Sequence, residues 1–236
     1  MGLFPDILIL AGGFGTRLQS VVKDVPKPMA PVAGKPFLEW LLNYLEFLKP
    51  NKIILSTGYK HETIAGYFGN NFKNIPIDYS VETDPLGTGG AIKRAFNFVE
   101  SQNFLVLNGD TFLQIDHLNF LNYHIKSKAL FSMALKPLKN PTRYGTVETS
   151  GESIKKFNEK NPDLSQGLIN TGVYLMNKMI ISHFPLQEKF SFETNFMELK
   201  TGEIEMKGFI TDDYFIDIGI PEDYKKANDE FPNLFN

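Results

Sequence analysis

The segment Asp6–Pro31, DILILAGGFGTRLQSVVKDVPKPMAP, holds an apolar run, a glycine loop and a proline-flanked lysine, in that order. Ile7 to Ala11 is short enough for a fully buried strand and too short to span a bilayer. At Gly12-Gly13-Phe14-Gly15 the missing Cβ atoms allow φ > 0 and bring backbone N–H groups close to a ligand. Such a loop after a strand can form a nest of donors that suits a phosphate. Arg17, next to Thr16, adds a planar fork that matches phosphate oxygens. Lys27 lies between Pro26 and Pro28, whose rings stiffen the segment, so its ammonium is a positioned charge. Leu10, Ala11, Gly12, Gly13, Gly15, Thr16, Arg17 and Lys27 are therefore candidate nucleotide-binding residues, with Arg17 and Lys27 also candidate catalytic residues. A dinucleotide fingerprint fails, because Leu18 stands where its third glycine belongs. A Walker loop fails as well, because Pro36 follows Gly34-Lys35. A purely structural turn is the remaining alternative.

With 236 residues and 42% hydrophobic content the chain can bury a sizeable core, and a single domain is expected. A net charge of -3 gives no basic field for nucleic acid. With no cysteine, disulfides, thiol nucleophiles and thiolate metal sites are excluded, and a cytoplasmic location is compatible. No basic residue precedes the first apolar run, which reads as a strand and not as a signal peptide, and no membrane segment is expected.

Beyond the loop, helices are predicted over Phe37–Lys49, His61–Phe68 and Gly89–Glu100, and from an Asp116 cap to Lys126. They alternate with strands over Lys52–Thr57, Ile75–Val81 and Phe104–Leu107. This alternation implies an α/β, Rossmann-like doubly wound, mainly parallel sheet in a nucleotide-binding part (1–128), with ligands at the strand carboxyl ends. In 129–236 the pattern shifts to strands over Leu130–Lys136, Gly145–Thr149, Ser153–Phe157 and Gly167–Met176, an antiparallel extension that makes the sheet mixed. Short helices over Lys178–Phe184 and Phe192–Leu199, a strand over Tyr214–Ile218 and a helix over Pro221–Phe231 close the chain. The helix Phe37–Lys49 is apolar except for a stripe of Glu39, Asn43 and Glu46, so it needs cover on several sides. Either the rest of the chain or a homodimer partner supplies it.

Two acids stand in apolar runs. Asp110 follows Asn108-Gly109 at a strand end, and Asp217 lies in Tyr214-Phe215-Ile216-Asp217-Ile218-Gly219. Alone, Asn108-Gly109-Asp110 reads more readily as a turn and Asp217 as a turn or cap, but convergence near Lys27 would make a hard-oxygen Mg²⁺ site beside a phosphate. Glu82 and the loop Gly87-Thr88-Gly89-Gly90 could lie against a planar base, or could be a glycine-rich helix entry. None of the four histidines has a metal-ligand spacing, and a solvated or structural role is expected for them.

The loop Gly12-Gly13-Phe14-Gly15-Thr16-Arg17-Leu18 followed by Pro26-Lys27-Pro28 resembles the sugar-1-phosphate nucleotidyltransferases, and the likeness runs from Asp6 to Tyr224. The family's Pro-Leu-Thr after the leucine is replaced here by Gln19-Ser20-Val21. The resemblance implies the nucleotidyltransferase fold, a nucleoside triphosphate and a sugar 1-phosphate as substrates, and Mg²⁺ held by Asp110 and Asp217. It implies nucleotide contacts from Glu82, Gly87, Thr88, Asn108 and Asp110. It implies sugar contacts from Tyr144, Gly145, Glu159, Lys160, Asn170 and Thr171. Within the family, the base loop and tail are most similar to GTP-using enzymes acting on D-glycero-α-D-manno-heptose 1-phosphate. Mannose-1-phosphate guanylyltransferases and uridylyl- or thymidylyltransferases are the alternatives, and a non-catalytic nucleotide-sugar sensor is the alternative from another class.

Overall fold

A computed structural model of the chain describes residues 2–13, 18, 22, 25–159 and 164–235. In chain order the strands are β1 (Ile7–Leu10), β2 (Pro31–Val32), β3 (Lys35–Pro36), β4 (Ile53–Thr57), β5 (Asn71–Phe72), β6 (Ile75–Val81), β7 (Asn103–Asn108), β8 (Thr111–Leu113), β9 (Phe131–Lys139), β10 (Thr146–Ser150), β11 (Ser153–Asn158), β12 (Gln166–Asn177), β13 (Met206–Ile210) and β14 (Phe215–Asp217). The helices are α1 (Phe37–Glu46), α2 (His61–Phe68), α3 (Gly87–Ala95), α4 (His117–Ser127), the single turn α5 (Glu198–Lys200) and α6 (Pro221–Leu234).

One sheet runs β10-β11-β13-β9-β12-β7-β1-β4-β6-β5. Neighbours among β7, β1, β4 and β6 are parallel, whereas β12 pairs antiparallel with both β7 and β9 and so joins the two halves. The predicted mixed α/β sheet is thus present. Side chains alternate along each strand with period two. Ile7, Ile9, Leu105, Leu107, Val173 and Leu175 face a core built with α1, α2, α4 and α6. Leu8, Ile54, Val106 and Tyr174 face a second core, built with α3 and residues 180–197. Both faces of the central strands are therefore dry, which explains their unbroken apolar composition. Leu8 is fully buried, so Leu8→Ala would cost about 2–5 kcal/mol.

Cover for α1 comes from within the chain: Phe231 packs on Phe37 and Trp40, and Phe235 on Trp40. Trp40 also donates its indole N–H to the Val32 carbonyl at 2.7 Å.

Several elements differ from expectation. The predicted helix over Phe192–Leu199 is a π-turn over Glu193–Met197 followed by α5, although Ser191 does cap it, accepting from the Thr194 N–H. Lys178–His183 is a 3₁₀ helix. Tyr214–Ile218 yields only the three residues of β14, which pair with β8 outside the large sheet. The histidines His117 and His124 are buried, and burial pushes both down to about 4, so both are neutral parts of the core.

Candidate active site

A cavity of about 590 Å³ opens at the carboxyl ends of β1, β4, β6 and β7. This is where an open α/β sheet offers free backbone groups and diverging loops. Leu10, Gly12, Gly13, Lys27, Glu82, Gly87, Thr88, Asn108 and Asp110 are on its wall. Ala11, read with them as a nucleotide contact, is fully buried beneath it and donates its N–H to Ser56. Gly12 is tightly packed, since a Cβ there would stand 3.1 Å from Glu82 Oε1 and 3.3 Å from the Gly58 nitrogen. Gly15, Thr16, Arg17 and Lys160 lie outside the described residues.

The charged centre is built by a three-pair ladder outside the large sheet. Thr111 of β8 is paired with Asp217 of β14, and Ile218 donates its N–H to the Asp110 carbonyl at 3.1 Å. That pairing joins two carboxylates more than a hundred residues apart in sequence. Lys27, whose side chain is only 9% exposed, reaches both: Nζ stands 2.5 Å from Asp110 Oδ2 and 3.4 Å from Asp217 Oδ1. Gly219 closes the turn, donating its N–H to Asp217 Oδ1 at 2.7 Å. A Cβ at Gly219 would lie 2.8 Å from both the ammonium and that oxygen.

One ammonium against two carboxylates leaves the trio with net negative charge, and its titration reflects this. Burial favours loss of the Lys27 proton, but Asp110 and Asp217 more than reverse it, and its pKa lies above the ordinary lysine range. Burial and the charge of Asp110 raise Asp217, and Lys27 and the Gly219 N–H offset only part of that rise. A centre that holds protons tightly on both sides has room for more positive charge. Two converging carboxylates beside an open cavity fit a hard divalent cation that keeps water and phosphate oxygens as its other ligands.

Glu82 has both oxygens engaged: Oε2 accepts from the Leu86 N–H at 2.9 Å and Oε1 from the Ser56 hydroxyl at 3.3 Å. Burial raises its pKa despite these bonds and the field of Arg94. The glycines after it serve packing more than ligand approach. Gly87 has φ +75, and Gly89 and Gly90 lie tight against Phe190 and the Glu188 carbonyl, where any Cβ would collide. Thr88 bonds Glu193 at 2.5 Å and accepts from the Phe192 N–H, which fixes the start of α3.

Among the described residues read as sugar contacts, none is on the cavity wall. Tyr144 packs edge-on against Phe215, two residues before Asp217, and its hydroxyl, pushed up to about 12 chiefly by burial, stays protonated. Gly145 is tight under Phe157, where a Cβ would come within 2.6 Å of the ring. Glu159 takes its place by donating its backbone N–H to Glu198 Oε1. Asn170 bonds the Tyr174 hydroxyl at 2.8 Å and accepts from the Gly172 N–H. Thr171 is buried with its hydroxyl donated to Ala134, so its part is to fix β12 and not to offer a hydroxyl outward. Sequence reasoning missed Ser56, Gly58 and Tyr59 on the wall. The break at Gly58 straight after a buried strand was the available signal.

The chain matches the family described as Nucleotidyl transferase over residues 7–233. It is 50% identical to a D-glycero-alpha-D-manno-heptose 1-phosphate guanylyltransferase of Aneurinibacillus thermoaerophilus, with 95% of this chain and 97% of that one covered. It is 46% identical to the protein of the same name from Campylobacter jejuni subsp. jejuni, with 92% and 96% covered. Among solved structures, HddC from Yersinia pseudotuberculosis complexed with GMP-PN superposes with a TM-score of 0.84 at 40% identity, covering 97% of this chain and all of that one. Lys27, Asp110, Asp217 and the cavity all fall inside the matched span, and the chain belongs to the nucleotidyl transferase family.

Proposed function

We propose that this chain transfers GMP from GTP to D-glycero-α-D-manno-heptose 1-phosphate, releasing pyrophosphate and forming the GDP-sugar. The names of its relatives at 50% and 46% identity, each covered almost end to end, support the substrates. The observation that carries the chemistry is the Lys27 ammonium on the cavity wall, with Asp110 and Asp217 converging on it.

A sugar phosphate is already largely dianionic at neutral pH, since its second pKa is about 6, so its attacking oxygen needs alignment and charge relief more than a base. The residues match that task. The backbone N–H groups of the glycine loop are assigned to the triphosphate, and Arg17 to the departing pyrophosphate. Lys27 neutralises charge developing at the α-phosphate. The family typically uses a divalent metal. Asp110 and Asp217 would hold Mg²⁺, which supplies Lewis-acid charge stabilisation to the phosphates when bound. Glu159, Lys160 and Tyr144 are assigned to the sugar phosphate. A cytoplasmic setting accords with these soluble substrates, and among the described residues no helix is long and apolar enough to cross a membrane.

Pyrophosphate release, measured for four nucleoside triphosphates against heptose, mannose and glucose 1-phosphates with Mg²⁺, tests the reading. GTP with the heptose phosphate should dominate. Preference for mannose 1-phosphate or for UTP or dTTP would replace the substrate assignment, and silence across the panel would favour the nucleotide-sugar sensor.

A further inference from the structure

Arg143 has no part in the chemistry above, yet it ties together three pieces of the acceptor side. Its Nη2 donates to Asp223 Oδ2 at 2.5 Å, in the first turn of α6, and to the Tyr144 hydroxyl at 2.8 Å. Its guanidinium carbon stands 5.2 Å from the centre of the Tyr144 ring. The same ring packs on Phe215 of β14, and Asp217 is among the charges that Arg143 feels. Its Nη1 is buried without a hydrogen-bond partner, so the group is held there by this one-sided clamp.

The bond to Tyr144 has a directional consequence. A phenolic oxygen accepts and its own proton donates. With Arg143 filling the acceptor position, the Tyr144 O–H is left to donate, and no acceptor for it is found among the described residues. A cationic donor on the oxygen also strengthens that O–H as a donor. Beside the strand that carries Asp217, the groups that want such a donor are the oxygens of the incoming sugar phosphate.

We propose that Arg143, anchored by Asp223, is a positioning residue for the acceptor: it turns and polarises the Tyr144 hydroxyl toward the sugar 1-phosphate and holds α6 against β14. The proposal rests on the sugar-1-phosphate reading, and it differs from a general structural role in predicting an effect on one substrate only.

The test is steady-state kinetics on the intact protein with whichever triphosphate and sugar phosphate the wild type turns over best. Arg143→Ala should raise KM for the sugar phosphate at least tenfold while leaving KM for the triphosphate within twofold. Asp223→Asn should act in the same direction, and the Arg143→Ala/Asp223→Asn double variant should be no worse than Arg143→Ala alone, because the two act as one unit. Arg143→Lys, which keeps the charge and loses the fork, should fall in between and guards against an alanine variant that fails to fold. An unchanged acceptor KM, an equal rise in both KM values, or additive single effects would overturn the proposal. A wild type without turnover on any pair would overturn the functional reading, and this inference with it.

Discussion

Lys27 and Arg143 are each a cation held by groups from distant parts of the chain, and the contrast between them separates charge from geometry. Lys27 is almost fully buried between two carboxylates, leaving excess negative charge that another cation would relieve. Arg143 is one third exposed and faces a single carboxylate and a phenol, so its cluster is close to neutral. The first arrangement stores electrostatic potential at the end of a parallel sheet. The second fixes a direction on the antiparallel side.

The largest effect expected from breaking this contrast is catalytic. Lys27→Ala should lower kcat by about 10²–10³-fold, the usual result of removing one fixed donor at a developing charge. Unchanged far-ultraviolet circular dichroism would show that the fold survives, and near-normal turnover would refute the role. A second break concerns stability. In Lys27→Met two carboxylates face each other without a counter-charge, at a cost of about 3 kcal/mol, the low end for a broken buried pair since Asp110 is partly solvated. Millimolar Mg²⁺ without nucleotide should raise the Tm of this variant more than that of the wild type. Equal responses would mean that Lys27 and the metal do not share the carboxylates.

Acid should weaken the antiparallel side through His124, which α4 buries against Ser132 of β9 at 2.8 Å. Folded His124 titrates only at about 4, whereas the unfolded chain takes up the proton near 6.5. In that window the unfolded state binds more protons. The contribution is therefore full above 6.5 and declines as pH falls towards 4, by at most about 3 kcal/mol. Chemical denaturation at pH 7 and 4.5 should show a smaller loss in His124→Asn than in the wild type, with His117 adding in the same sense to both. The smallest effect belongs to Lys156 and Glu148, an exposed pair at 3.7 Å. Lys156→Ala should change stability by under about 0.5 kcal/mol, which a urea midpoint would check.

Much of the parallel half was legible because its signals are local. His61–Phe68 and Ile75–Val81 carry long periodic patterns with clear stops, and the structure has both with the predicted bounds. β13 was missed, since Met206–Ile210 is short and includes Gly208, whose lack of a side chain lets Leu135 pass. The loop glycines were legible as glycines but not in purpose. Phe190, which makes Gly89 necessary, is a hundred residues away. Asp110 and Asp217 were each recognisable as motif acids, yet their meeting depends on β8, three residues that carry no periodicity of their own.

That three-residue pairing also sets when the centre can exist during synthesis. A polypeptide released before Phe215 would own Lys27, Asp110 and the glycine loop, but β8 would have nothing to pair with and the second carboxylate would be missing. The same chain end also supplies Phe231 and Phe235 to α1, so the charged centre and the cover of that helix are completed together, by the last residues to be made.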